Sequence, residues 1–210
     1  LSFAMLDGFS QQYDLSPENN GMDEFQAYGA MNYSQTGVAS RIEATWLAAY
    51  NVVANANNLI QNLIENTTPE LFEFGEVERN MILGEAYACR ALMHFDLLRL
   101  FAPALINDDQ GTYVPYVDTY PEIYATSMQV APFLDKVIAD LVKAKTLVAD
   151  FDTTAAGVLA SQSGVARMSK ARSLDNRFGY GDFFAGRGYR LSYYSITALL
   201  ARVYQYAGKM

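Results

Sequence analysis

The sequence predicts an all-α protein, an array of long helices paired side by side and separated by long irregular loops. Three observations carry that reading. Apolar residues recur at spacings of three and four in four separate stretches, the mark of helices with a buried face. The stretch Glu76 to Pro103, EVERNMILGEAYACRALMHFDLLRLFAP, is apolar on two opposite sides and so belongs inside a stack. A break at Thr67-Thr68-Pro69 leaves a loop of about ten residues before it, enough to join two antiparallel helices.

Residues 1–40 show little periodicity and many turn formers, among them Asp7-Gly8, Ser16-Pro17 and Asn19-Asn20-Gly21. They read as mostly irregular, with room for one short helix. Tyr13, Phe25, Tyr28 and Tyr33 punctuate this stretch, either docking it onto a core or meeting a ligand.

Residues 41–103 read as the first helix pair. In Arg41–Glu65 the seam runs through Trp46, Ala49, Val53, Ala56, Ile60 and Leu63, with Trp46 as a buried ring. Asn51, Asn55, Asn58 and Asn62 line a neighbouring stripe. Asparagine competes for backbone hydrogen bonds in a helix, so one or more of these amides is expected to tie down a loop. In the second helix, Val77, Gly84, Ala88, Ala91, Phe95, Leu98 and Ala102 form one face and Ile82, Ala86, Cys89, Met93 and Leu100 the other. Glu78, Glu85, Asp96 and Arg99 fill one strip between the faces, and Glu76, Arg79, Arg90 and His94 the other. Gly84 costs roughly 1 kcal/mol of helix propensity relative to alanine, and close approach of a neighbouring helix is the compensation expected.

Residues 104–126 form a polar, turn-rich connection in which Asp108-Asp109 reads as a solvated turn, because calcium-loop spacing is missing. Residues 127–208 then read as a second helix pair with a loop insertion at 150–189. Ser127 is the expected cap of a helix reaching Ala149, buried along Leu134, Val137, Leu141, Ala144 and Val148. The run Phe178-Gly179-Tyr180-Gly181-Asp182-Phe183-Phe184 alternates glycine with aromatics and predicts an ordered loop or hairpin. A last helix, Arg190 to Ala207, stops at Gly208.

Composition narrows the function. The 210 residues are 51% hydrophobic, which excludes intrinsic disorder, and the formal charge of −8 argues against a nucleic-acid partner. No uncharged apolar run reaches the length of a membrane span. One histidine, His94, and one cysteine, Cys89, leave no two-imidazole metal site and no paired catalytic motif. His94 reads as a surface or buried packing residue and Cys89 as a buried thiol. Neither a metal, a cofactor nor an enzymatic activity is expected.

Four motifs in order give the chain a resemblance. Trp46-Leu47-Ala48-Ala49-Tyr50 with Val53 and Ala54-Asn55 comes first. Next is the signature helix, Gly84-Glu85-Ala86, Arg90-Ala91, His94-Phe95-Asp96-Leu97 and Arg99-Leu100-Phe101. Ile138-Ala139-Asp140-Leu141 with Ala144 follows, then Ala198-Leu199-Leu200-Ala201-Arg202-Val203-Tyr204 with Tyr206-Ala207-Gly208. Together they resemble the SusD/RagB family of outer-membrane nutrient-binding lipoproteins, in its N-terminal portion.

The resemblance implies a degenerate tetratricopeptide-like helical array, and the first two helices do start roughly 35 residues apart, near that repeat's period. It implies that Trp46, Asn55, Gly84, Glu85, Arg90 and Phe95 are structural. It implies a surface-exposed lipoprotein of the outer membrane, working with a SusC-like TonB-dependent transporter in uptake of oligosaccharide or polysaccharide. Membrane contact would run only through a lipid anchor that, like the signal peptide and the C-terminal half, lies outside this sequence. Sugar rings stack on aromatics and bond to amides and carboxylates. Nine of the fifteen tyrosines fall outside the four predicted helices. The ligand-binding candidates are Tyr28, Asn32 and Tyr33, and the loop residues Tyr180 and Phe183. The competing reading is a tetratricopeptide-like scaffold that binds proteins and has no small-molecule ligand of its own.

Overall fold

The computed structural model describes residues 3–17, 22–162 and 182–209. These form two compact units, residues 1–51 and residues 52–210. In the described residues the fold is all-α, with seven α-helices and one two-residue strand pair.

The first unit holds α1 (Phe3–Phe9), α2 (Asp23–Gly29) and the beginning of α3 (Thr36–Asn66). Two short helices thus stand where mostly irregular chain with room for one is predicted. At seven residues each they are too short to show a period. α3 begins at Thr36 rather than Arg41, because the Gln35 side chain accepts the Val38 N–H at 2.8 Å and holds the first turn. Met5, Ala27, Tyr28 and Val38 form the core of this unit, with Leu6, Phe9, Leu15, Phe25 and Ile42 around them. Trp46 is half-buried rather than enclosed, with its ring 4.9 Å from that of Tyr50.

The second unit contains the rest of α3, then α4 (Gly75–Phe101), α5 (Val130–Asp152), α6 (Ala155–Gln162) and α7 (Tyr193–Tyr206). Within it α3 and α4 run antiparallel. Arg79 near the start of α4 donates to the Leu63 carbonyl at 2.9 Å, and Arg90 further along donates to Asn57. α4 and α5 are also antiparallel, and Gly84 sets how near they come. A Cβ on Gly84 would sit 2.7 Å from Val148 Cγ1 and 3.0 Å from the Ala144 carbonyl oxygen. The close-packing role read from Gly84, Ala88 and Ala91 therefore has a specific partner. All five residues of the predicted α5 stripe are buried. The opposite side of α4 is less covered: Ala86 is buried, Ile82, Cys89 and Met93 are half-buried, and Leu100 is exposed.

Three local expectations fail for identifiable reasons. Ser127 does not cap α5 but pairs with Pro115 in an antiparallel ladder of β1 (Val114–Pro115) and β2 (Ser127–Met128). The helix starts at Val130, so Pro132 lies in its first turn, where a missing N–H costs nothing. The described part of the predicted loop insertion at 150–189 includes helix: α5 continues to Asp152 and α6 follows. Thr154 caps α6 by accepting the Gly157 N–H at 3.2 Å, and Gly157 lies so close to the Phe151 carbonyl that no side chain fits there. Ala156 and Ala160 of α6 pack with Met81, Phe151 and Phe184. The last helix begins at Tyr193, because Ser192 takes the cap position and accepts the Ser195 N–H.

Candidate functional site

In the first unit, α1 and α2 are held by glycines that let backbone approach side chain. A Cβ on Gly8 would lie 2.8 Å from Tyr28 Cβ, and one on Gly29 would lie 3.2 Å from Leu15 Cβ. Tyr28 is the centre of this packing, 1% exposed, with Phe9 and Phe25 presenting edges to it at 5.1 and 5.7 Å. Its hydroxyl donates to Glu24, which also takes the Arg41 guanidinium. Burial, followed by the Glu24 carboxylate, pushes the Tyr28 phenol up to about 12. Neither face of that ring is open to a ligand.

Tyr33 differs. It is 56% exposed and leans on Phe9 at 5.2 Å, so one side of its ring is backed and the other faces water. Asn32 beside it is exposed and its side-chain Oδ1 accepts the Ser34 N–H at 3.2 Å, an Asx turn that fixes the side chain. The structure therefore links Tyr28 and Tyr33 through Phe9, with only Tyr33 and Asn32 presented to solvent. Tyr13, 62% exposed, lines a nearby hollow of about 520 Å³ together with Gln11, Asp14 and Gln26. Gln11 and Gln26 are invisible to periodicity, because an amide in a turn or a seven-residue helix has no pattern to stand out from.

The second aromatic candidate divides. Tyr180 lies outside the described residues. Phe183 is packed: it meets Phe184 edge-on at 5.0 Å and lies under the Arg190 guanidinium at 4.8 Å.

The signature residues build two ion networks. Arg90 donates to Asp140 through two bonds of 2.7 Å and to Asn57 Oδ1 at 2.8 Å. Tyr116 donates to the same Asp140 and stacks on His94 at 3.9 Å. His94 accepts the Val117 N–H at Nε2, 3.1 Å away, which leaves its proton on Nδ1. Burial, then the Arg90 charge, drives the imidazole down to about 3, so it is neutral. Of the strip residues Arg90 and His94, both are buried, so for His94 the packing reading holds and the surface one does not.

The second network centres on Arg187, which is buried and grips Asp152 through bonds of 2.8 and 2.7 Å. Arg187 also pairs with Glu85, which Arg190 reaches at 2.9 Å. Phe95 is buried with its ring edge-on to Tyr206 at 5.4 Å. The buried amide of α3 is Asn57, not a member of the 51, 55, 58, 62 stripe. It donates to the carbonyls of Val117 at 2.9 Å and Thr119 at 3.2 Å. Asn55 is exposed and borders a groove of about 390 Å³ with Val52, Leu59, Ile82 and Cys89. Cys89 is half-buried, and burial, then Glu85, raises its thiol pKa, which disfavours a reactive thiolate.

Among the described residues no group of three or more His, Cys, Asp or Glu is placed to hold a metal ion, and no helix is long and apolar enough to cross a membrane.

No curated protein gives a significant match to the chain. Two crystal structures share its fold at a TM-score of 0.52. One is of a protein from Bacteroides vulgatus ATCC 8482 provisionally named a sugar binding protein, 21% identical, with 79% of this chain and 29% of that one covered. The other is a SusD superfamily protein from Bacteroides thetaiotaomicron VPI-5482, 23% identical, with 78% and 28% covered. The chain thus spans less than a third of the length of these solved relatives. A family model, SusD-like_3, matches residues 8–170. With most of its length under that match and the same helical fold, the chain belongs to the SusD-like family described as "Starch-binding associating with outer membrane".

Proposed function

We propose that this chain is part of a cell-surface glycan-binding protein that works by capture rather than catalysis and passes oligosaccharides to a SusC-like TonB-dependent transporter. The family description names starch binding and association with the outer membrane, and it names no reaction. The observation that carries the reading is Tyr33, an exposed ring backed by Phe9 and flanked by the fixed amide of Asn32. A sugar ring's apolar face stacks on such a ring while an amide at the edge bonds its hydroxyls. Tyr13 with Gln11 and Gln26 repeats the combination on the same unit.

Electrophoresis in gels cast with soluble starch, xylan or mannan tests this: retardation by at least one polysaccharide, lost in Tyr33→Ala, supports capture at this patch. Unretarded migration in all three, or retention unchanged in the variant, overturns the assignment. The partner half of the proposal is tested by co-purification with the transporter from solubilised outer membranes.

A second reading rests on the groove lined by Val52, Leu59, Ile82 and Cys89, which is mostly apolar and suits a protein segment. A chain that binds only protein would show no polysaccharide retention.

A further inference from the structure

The second unit carries a cleft that the aromatic patch of the first unit does not account for. It has a volume of about 530 Å³, inside the range of small-molecule sites, roughly 300–1,000 Å³. One wall is α3, presenting Ile60, Gln61, Ile64 and Glu65. The floor is Tyr87 and Arg90 of α4, and the far rim is the segment Asp118-Thr119-Tyr120.

That rim is fixed before any ligand arrives. Asn57 donates to the carbonyls of Val117 and Thr119, Arg90 reaches the Asp118 carbonyl at 3.3 Å, and His94 accepts the Val117 N–H. Lys136 holds the Asp118 carboxylate at 2.7 Å. Asn57, Arg90 and His94 are buried, so the segment is anchored to the interior by side chains that cannot drift. Tyr120, 42% exposed, follows directly on this anchored backbone and lines the cleft together with Gln61 and Glu65. Pre-organisation of this kind removes ordering cost from binding.

The lining also states what the ligand is not. Arg90's charge is satisfied by Asp140 and Asp118's by Lys136, so the lining residues offer no unpaired cation for an anion and Glu65 repels one. A cation site would need carboxylates that converge without a lysine between them. What remains is two tyrosine rings, two isoleucines, and the amide of Gln61 donating to the carboxylate of Glu65 at 3.2 Å, which together match a neutral ring with an apolar face and hydroxyls around its edge.

We propose that this cleft is a second carbohydrate subsite, separate from the Tyr33 patch, in which a neutral sugar ring stacks on Tyr120 and hydrogen-bonds along its edge to Gln61 and Glu65. It rests on the reading of the chain as a glycan binder and adds a place and a mode.

The test is a nitrogen-15 NMR titration of the assigned chain with maltoheptaose, xylohexaose and mannohexaose. At least one of these should shift the backbone amides of Gln61, Glu65 and Thr119 in a saturable way. Tyr120→Ala and Glu65→Gln, both changes at the cleft rim, should each weaken that response at least fivefold and leave the thermal midpoint in place. Shifts confined to the surroundings of Tyr33 overturn the cleft while sparing the surface patch. Shifts confined to the cleft retain it and discard the patch. Silence with all three sugars, or a cleft response indifferent to both variants, overturns the subsite.

Discussion

Arg90 and Asp140 meet through two parallel hydrogen bonds, Nε to Oδ2 and NH2 to Oδ1, each 2.7 Å long and almost sealed from solvent. Removing one partner strands the other charge in the interior between α4 and α5. Asp140→Ala should therefore lower the unfolding free energy by about 3 to 5 kcal/mol. Urea denaturation checks this, and a loss under about 1 kcal/mol would show that the pair is better hydrated than its burial implies.

Gly84→Ala sets two opposed effects against each other. Alanine gains roughly 1 kcal/mol of helix propensity. Its methyl must also enter space held by Val148 and the Ala144 carbonyl, and overpacking of that kind costs about 1 to 3 kcal/mol. The net change should be destabilising. Because the nearest clash, at 2.7 Å, is with the Val148 side chain, Val148→Ala added to it should cost less than the two single changes summed. A thermally stabilised Gly84→Ala would contradict the close approach.

The single histidine makes a pH signature. Unfolded, its imidazole titrates near 6.5; in the fold, burial holds it at about 3. Between those values the unfolded chain takes up a proton that the native chain refuses. Stability from this group is complete above pH 6.5 and falls as pH drops toward 3, by up to about 1.4 kcal/mol per unit. His94→Gln should flatten that part of the profile. Chemical denaturation at pH 7 and pH 5, for both proteins, checks the difference.

Tyr33→Ala should leave the melting temperature within about 1 °C, since more than half of the ring is already in water. Its polysaccharide retention should fall clearly. A matched loss of both would make Tyr33 a packing residue.

How much of this was readable in the chain depended on whether a feature was periodic. The buried stripe of α5 and the small face at Gly84 repeat every three or four residues, and both were legible. The partners of Arg90 and Glu85 were not, because Asp140 and Arg187 lie far along the chain and no spacing rule connects them. The strip position of Arg90 and His94 left their burial open, and pairing with Asp140 and a loop N–H let both be buried. Tyr28 and Tyr33 look alike in sequence. The close approach of Gly8 and the edge of Phe25, both against Tyr28, mark which ring is inside.

Asn57 illustrates how narrow such a position is. Its two amide hydrogens go to two carbonyls of the rim and its oxygen goes to Arg90. Aspartate, nearly the same shape, would please the guanidinium yet turn lone pairs toward both carbonyls. Leucine would fit the space and leave three polar groups unanswered. A single nitrogen atom thus supplies two of the anchors that keep the rim of a cleft attached to the helices beneath it.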